Sequence, residues 1–231
     1  MAARRTTSAK RETNQAMQAP KSEHIPRATI QRLAVYVQVL ENLLREGTDV
    51  ISSEPLAKAC NVNASQIRKD LAYFGEFGVR GVGYYVKSLI ESITSVLGVN
   101  REWRTVLVGV GNLGRALLNH KEFKLRGFHI VGAFDCDPFK IGEEVSGLEV
   151  VCTKRLKEKV ADLDVEIGII TTPPERAQRA ANHLVDAGIK GILNFAPARI
   201  TVPDDVFVEY VDFFHHLYAL SFNITFDRAN R

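Results

Sequence analysis

Apolar residues recur at helical spacing early in the chain. Ile30, Leu33, Ala34, Val37, Leu40 and Leu44 repeat every three or four positions and predict one face of an amphipathic helix, which Gly47 ends. Ser52-Ser53-Glu54-Pro55 predicts a second, short helix through Cys60: a serine caps it, and proline suits a first turn because its missing N–H has no partner to lose there. Asn61-Val62-Asn63 predicts a turn. Asn63 with Gln66 three residues on has capping-box spacing, so a third helix starts there. It buries Ile67, Leu71 and Phe74 and turns Ser65, Gln66, Arg68 and Lys69 outward. Two short helices across a tight turn make a helix-turn-helix. The glycines and β-formers from Phe74 to Val86 predict a hairpin "wing" with Arg80 near its tip, and Leu89, Ile90, Ile93, Val96 and Leu97 mark a fourth helix ending at Gly98.

The period then changes. Residues 99–104 predict a linker, and Thr105-Val106-Leu107-Val108 is a short, wholly apolar run of the kind found in a buried parallel strand. It leads into Gly109-Val110-Gly111-Asn112-Leu113-Gly114, a G-x-G-x-x-G, and then a helix through Leu118. The first glycine permits the tight turn, the second lets the backbone approach a pyrophosphate, and the third allows close packing of helix on strand. A second strand, Ile130 to Phe134, ends in Asp135, which lies 21 residues past Gly114, near the spacing of about 20 at which a carboxylate accepts bonds from a ribose diol. That favours NAD over NADP; a turn cap is the structural alternative for this aspartate. Further βα units follow: a strand over residues 165–170, a helix from Glu175 to Ala187 capped by Thr171-Thr172-Pro173-Pro174, and a strand over 189–193 ending at Asn194. Thr171, Thr172 and Asn194 fall at strand carboxyl ends, where ligands bind in open α/β sheets, and are expected to line a nicotinamide pocket.

The last segment is apolar on two sides. Phe213, Leu217, Leu220 and Ile224 form one stripe and Phe214, Tyr218 and Phe222 another. A helix of that kind is buried on two sides, and the expectation is a dimer held by an exchanged C-terminal helix; an ordinary terminal core helix is the alternative.

Composition narrows the class. The chain has 231 residues, 45% hydrophobic and 25% charged, with a net charge of +3. These are ordinary globular values. No apolar run approaches the length of a membrane span, the N-terminus has no apolar core behind its basic residues, and three cysteines without a Cys-x-x-Cys pair suggest neither a disulfide framework nor a zinc site. A cytoplasmic protein is expected. The charge is uneven. Residues 1–104 carry +5 and residues 105–231 carry −2, so a polyanion partner is expected for the first part alone. Residues 1–26 supply +3 of that excess and are read as a disordered basic tail.

A recognition helix entering the major groove by its N-terminal end would present Gln66 and Arg68 to base edges, with Lys69 or Arg80 on phosphate or in the narrow groove. A small helical oligomerisation domain with a solvated charged face is the other reading. For the second part a small NAD-dependent oxidoreductase is an alternative, needing a general acid or base among His120, His183, His215 and His216. None of these has a partner legible from spacing, and little chain remains for a substrate domain. A CoA-binding domain shares such a loop, but Asp135 argues for a dinucleotide.

Taken together, these motifs resemble the Rex family of redox-sensing transcriptional repressors. They are Ile67 to Gly75 (I-R-K-D-L-A-Y-F-G), the glycine loop, Phe134 to Gly142 (F-D-C-D-P-F-K-I-G), Gly188 to Pro197 (G-I-K-G-I-L-N-F-A-P) and the V-D-F-F start of the last helix. The likeness spans about residues 25–226. It implies a homodimer that binds an inverted-repeat operator when NADH is scarce and leaves it when NADH rises, with NAD⁺ competing for the site. Lys140 matches the family's P-x-K, and Asp212 and Phe213 match positions of the swapped helix near the partner's cofactor pocket. One departure is His120, where family members often carry a tyrosine tied to the acidic residue matched by Asp212; histidine there implies pH sensitivity or different wiring of the switch, or a surface residue at a helix end.

The expected organisation is α/β. A tail (1–26) precedes a winged helix-turn-helix domain (27–98), a linker (99–104), a Rossmann-like parallel-sheet domain (105–210) and a domain-swapped C-terminal helix and tail (211–231). Candidate NADH and NAD⁺ contacts are Gly109, Val110, Gly111, Asn112, Leu113, Gly114, Asp135, Asp137, Lys140, Thr171, Thr172, Pro173, Asn194, Phe195, Ala196 and Phe213. Candidate DNA contacts are Arg27, Ser65, Gln66, Arg68, Lys69, Tyr73, Arg80, Gly81 and Tyr84. His120, Asp212, Phe213 and Leu217 are the candidate switch and interface residues, and neither a metal site nor a catalytic residue is expected.

Overall fold

The computed structural model describes residues 25–229, and the chain divides after Asn100 into two compact units. The expected tail, apart from its last two residues, lies outside the described residues.

The first unit runs α1 (Arg27–Arg45), β1 (Val50–Ile51), α2 (Ser53–Ala59), α3 (Ala64–Ala72), β2 (Tyr84–Tyr85) and α4 (Val86–Val96). Its core is built from Leu33, Tyr36, Leu40, Leu56, Ile67, Leu71, Phe74, Leu89 and Ile93. The buried face of α1 is therefore rotated from the expected one: Thr29 and Tyr36 are inside, whereas Ile30, Ala34 and Leu44 are exposed. The wing also differs. Tyr84-Tyr85 pairs antiparallel with Val50-Ile51, ahead of α2, not with the segment after Phe74. The segment between closes on itself through Val79 and Gly83, which exchange N–H to carbonyl bonds of 2.8 and 2.9 Å, with the Val82 N–H also donating to the Val79 carbonyl (3.0 Å). Gly83 (φ +111°) is required there, because a Cβ would lie 2.5 Å from the Ile51 carbonyl oxygen.

The rotation of α1 has a cause the apolar pattern did not carry. Asp70 is fully buried on the inner stripe of α3. Arg32 grips it with Nε–Oδ2 and Nη2–Oδ1 bonds of 2.6 and 2.7 Å. Tyr36 Oη donates to Oδ2 (2.7 Å), and Thr29 Oγ1 (3.2 Å) and Gln66 Nε2 (2.8 Å) donate to Oδ1. A buried charge is tolerable only when so surrounded. Burial pushes the carboxyl pKa upward, but the bonds from Arg32, Tyr36 and Gln66 outweigh it, and the net shift is downward. Asn63 caps α3 by accepting from the Gln66 N–H (2.8 Å), so half of the expected capping box forms; the Gln66 side chain goes to Asp70 instead of reaching back.

The second unit is a seven-stranded sheet in the order β5-β6-β4-β3-β7-β8-β9. Its strands are β3 (Trp103–Val108), β4 (Phe128–Asp135), β5 (Glu144–Val145), β6 (Leu148–Cys152), β7 (Ile167–Ile170), β8 (Gly191–Asn194) and β9 (Phe207–Tyr210). All neighbours pair in parallel except the β5–β6 edge. The helices are α5 (Asn112–Leu118), α6 (Glu122–Leu125), α7 (Leu156–Val160) and α8 (Pro174–Asp186). Trp103 and Arg104, expected in the linker, begin β3. The central β3 is buried from Thr105 to Val108, as a strand covered on both faces must be. Val106, Val108, Ile170, Ala177, Ala181 and Leu184 pack in one apolar cluster, and Leu107, Val110, Ala133 and Ile169 in another. Beyond β9 runs α9 (Phe213–Ala229).

Among the described residues no helix is long and apolar enough to cross a membrane, and no group of three His, Cys, Asp or Glu side chains is placed to hold a metal. The three cysteines are free, and burial raises the pKa of Cys60 to about 11.

Asp70→Ala leaves the Arg32 guanidinium and the Tyr36 hydroxyl without their shared partner. The expected loss of stability is about 3 kcal/mol, read as a lower denaturant midpoint for the first unit with the second unit unchanged.

Candidate functional site

A cavity of about 730 Å³ opens at the carboxyl ends of β3, β4, β6 and β7. The loop that leaves β3 is shaped by its glycines. Gly109 has φ +107°, and a Cβ there would sit 2.7 Å from the Thr171 carbonyl carbon; one on Gly114 would sit 2.1 Å from the Gly109 oxygen. Nothing lies within 4 Å of where a Gly111 Cβ would point. Two glycines thus let protein meet protein, and the third leaves the backbone bare toward open space. The Val110 side chain is fully buried, and Asn112 and Leu113 are exposed at the first turn of α5.

Asp135 anchors this loop. Its Oδ2 accepts from the Val110 N–H (2.7 Å), and its Oδ1 accepts from the N–H groups of Cys136 (2.7 Å) and Asp137 (2.9 Å). Lys140 Nζ completes the set at 3.2 Å from Oδ2, and lies 3.8 Å from an Asp137 oxygen. Burial raises the pKa, but the Asp137 and Val110 N–H groups and the Lys140 ammonium more than offset it and hold the carboxyl below the usual carboxylate range. The turn-cap alternative for Asp135 is thus realised, and a carboxylate's roughly four lone-pair sites are filled from within the chain.

Thr171 serves the loop as well, donating from Oγ1 to the Gly109 carbonyl (2.6 Å). The Thr172 Oγ1 and His183 Nε2 atoms on the cavity wall are buried without a hydrogen-bond partner among the described residues. Arg176, Arg179, Ala180 and His183 form one face of α8 along the cavity, and Lys154 lines it too. Arg176 donates to the Cys136 sulfur (3.3 Å). Of these the sequence pointed only to His183, as a candidate acid or base for the oxidoreductase alternative; Lys154, Arg176, Arg179 and Ala180 were missed, although the i, i+3, i+4, i+7 spacing of Arg176, Arg179, Ala180 and His183 on the helix after Pro173 was a legible signal.

Asn194 does not join Thr171 and Thr172. It is fully buried, donates to the Ala198 carbonyl (2.9 Å) and accepts from the Ala196 N–H (2.9 Å), so its amide folds its own turn rather than facing a ligand. Ala196 is buried and Phe195 half-buried in the core. Asn194 and Ala196 line a separate hollow of about 170 Å³ with Asp212 and His215. Asp212 accepts from the Phe214 N–H (2.9 Å) at the start of α9 and lies 3.3 Å from His215 Nδ1. Beyond it Phe213, Phe214, Leu217, Tyr218, Leu220, Phe222, Ile224 and Phe226 are all more than half exposed. A terminal core helix within one chain is excluded by that exposure. His120 is an exposed residue just past α5, its Nδ1 accepting from the Glu122 N–H (3.3 Å) and its ring edge-on to Phe123.

On the first unit, Ser65, Arg68 and Lys69 are exposed along α3, and Arg80 and Gly81 sit at the tip of the wing turn. Arg68 is braced, donating to Ser53 Oγ (2.7 Å) with Glu54 at 3.6 Å. Tyr73 is half-buried against Phe74. Tyr84, expected at the DNA, is 8% exposed and belongs to the core; Tyr85, which alternates to the other side, is the exposed one. Arg27 is exposed at the start of α1.

A winged helix-turn-helix head carried with a doubly wound parallel-sheet domain is the make-up of a ligand-responsive transcription factor. Residues 24–72 match a family described as a putative DNA-binding protein N-terminus, and residues 100–198 match a CoA binding domain. A redox-sensing transcriptional repressor Rex of Solidesulfovibrio magneticus is 71% identical over 208 residues, covering 90% of this chain and 94% of that protein. Rex 1 of Thermotoga maritima is 51% identical, covering 88% and 97%. A crystal structure of RSP in complex with β-NAD⁺ and operator DNA is similar at a TM-score of 0.84 and 38% identity, over 90% of this chain and 96% of that one. RSP in complex with β-NADH gives 0.82 and 36%, over 90% and 98%. The chain belongs to the Rex family of redox-sensing transcriptional repressors, and these named relatives are repressors, not oxidoreductases.

Gly114→Ala drives a methyl group into the Gly109 carbonyl and is expected to cost about 3 kcal/mol. Gly111→Ala meets nothing and is expected to stay within about 0.5 kcal/mol of the parent. Thermal unfolding of the two variants side by side checks the contrast.

Proposed function

We propose that this chain is a homodimeric repressor that holds operator DNA when NADH is scarce and releases it when NADH binds, so that it reads the NADH/NAD⁺ ratio. The observation that carries the reading is the bare Gly111 backbone over a cavity at the strand ends, in a chain whose other unit carries a helix-turn-helix. The complexes of RSP with NAD⁺ plus operator and with NADH support it.

The dinucleotide's pyrophosphate would lie against the backbone of Gly111, Asn112 and Leu113, with the adenosine in the cavity beside Asp135, Asp137, Lys140 and Pro173. Because Asp135 is saturated, a ribose hydroxyl would take the place that Lys140 holds on Oδ2. Thr172 Oγ1 and His183 Nε2 fit a polar ligand, since each is buried with bonding capacity unused. The nicotinamide ring, when bound, supplies the redox-dependent difference. It would sit toward Phe195 and Ala196, near Asp212 and the Phe213 of an exchanged helix.

The bare apolar surface of α9, with Leu217 among its exposed residues, supports exchange between two subunits. On the DNA side Ser65, Gln66, Arg68, Lys69, Arg80 and Gly81, with Arg27 and Tyr73 flanking, form the reading face. Tyr84 supports that face from within. Two such heads must lie about 34–36 Å apart to meet successive major grooves. NADH acts by favouring a dimer arrangement that breaks this spacing, and only its differential affinity for the two arrangements does work: carrying the equilibrium from 1:99 to 99:1 needs a factor of about 10⁴. A DNA-bound repressor of this kind works in the cytoplasm.

Fluorescence anisotropy tests this directly, using a labelled duplex selected on the protein from a randomised pool. Binding is expected to weaken steeply with salt and to be reversed by NADH but not by NAD⁺; a complex equally tight at saturating NADH rejects the sensor. Ending the chain before Val211 is expected to give monomers by light scattering, and a dimer of unchanged size rejects the exchanged helix.

A further inference from the structure

Gln66 sits in the first turn of α3, the part of a recognition helix that meets base edges. Its side chain is not free to turn. Nε2 lies 2.8 Å from Asp70 Oδ1, and an ionised carboxylate only accepts, so the amide nitrogen must face inward and Oε1 outward. Asp70 cannot give way, because it is fully buried and held by Arg32, Tyr36 and Thr29 as well. Its pull on the amide is charge-assisted, and so stronger than a neutral bond. The backbone at this position is pinned too, by the Asn63 cap.

Asp70 takes one of the two Nε2 hydrogens. The second, and both lone pairs of Oε1, have no partner among the described residues, so a donor and an acceptor remain side by side in one plane. That pair matches the N7 acceptor and N6 donor of adenine in the major groove; guanine presents two acceptors there and would face Oε1 with O6. We infer that Gln66, held by the Arg32–Asp70 ion pair as its positioning group, is an adenine reader of fixed orientation. The inference rests on the DNA-binding reading above and adds which base is chosen and why the choice is rigid. Rotating the amide by half a turn would set Oε1 against the Asp70 carboxylate, so the side chain presents its donor and acceptor in one order only.

The experiment is selection from a randomised duplex pool with the full-length protein, Gln66→Ala and Asp70→Asn, followed by anisotropy on the wild-type winner and its single-base variants. Wild type is expected to enrich adenine at one position of each half-site. Replacing that adenine with guanine is expected to weaken binding roughly 5- to 150-fold, the range for loss of one bidentate contact. Gln66→Ala is expected to bind the adenine and guanine duplexes alike while keeping its preferences elsewhere. Asp70→Asn offers either a donor or an acceptor at the pin, so adenine preference at that position is expected to relax while Gln66 is still present. A merely structural Asp70 would weaken all duplexes by one factor and leave the preference intact. Should Asp70→Asn not fold, Tyr36→Phe removes one of the clamps on the carboxylate, and a smaller relaxation at the same position is expected. Gln66→Ala retaining the wild-type preference at every position overturns the inference while DNA binding stands. A wild-type protein that enriches no sequence overturns the DNA-binding reading and the inference together.

Discussion

A carboxylate taken out of water must be surrounded by donors, and each unit of this protein is organised around one that is. Asp70 gathers Arg32, Tyr36, Thr29 and Gln66 in the first unit; Asp135 gathers three backbone N–H groups and Lys140 in the second. Desolvation alone would push both toward the neutral acid, and in both the donors prevail. Removing such donors one at a time is costly, because what remains is an under-paired buried charge. Each cluster therefore behaves as a rigid knot, one behind the exposed side of α3 and the other beside the cavity.

The knots draw their donors from different kinds of element. Around Asp70 the donors come from α1 and α3, so the helix that faces outward is fixed to the helix that forms the floor of the head. Around Asp135 the donors come from the glycine loop and from the turn after β4, which ties the two strand ends bordering the cavity. The glycines complete that geometry by exclusion: Gly109 and Gly114 allow backbone to approach backbone, and Gly111 keeps its outward side clear. Lys140 is the only side-chain donor among the described partners of the second knot. It stands on a long stem, and the loop's three backbone hydrogen bonds to Asp135 do not depend on it.

The α9 helix follows a different rule. Within its own chain it leaves large apolar side chains exposed along most of its length, and at its start Asp212 caps it by accepting from the Phe214 N–H. Such a surface is stable in water only when another apolar surface covers it. This gives a physical reason for a helix apolar on two faces at the end of a domain.

Local pattern alone determined much of this. The helix-turn-helix, the change of period at residue 105, the strand–glycine loop–helix unit, the aspartate at its expected spacing and the two-sided apolar C-terminal helix all follow from spacings of a few residues, because such spacings set which side chains share a face. Tertiary structure decided the rest. The pairing of Val50-Ile51 with Tyr84-Tyr85, the burial of Tyr84, the inward turn of Asn194, the added strands β5, β6 and β9, and the use of α8's Arg176 and His183 on the cavity wall depend on partners far away in sequence. The two buried carboxylates show why. Asp70 lies on the apolar stripe with Ile67, Leu71 and Phe74, where spacing alone makes it look misplaced, and only the arrival of Arg32 and Tyr36 from another helix makes its burial favourable.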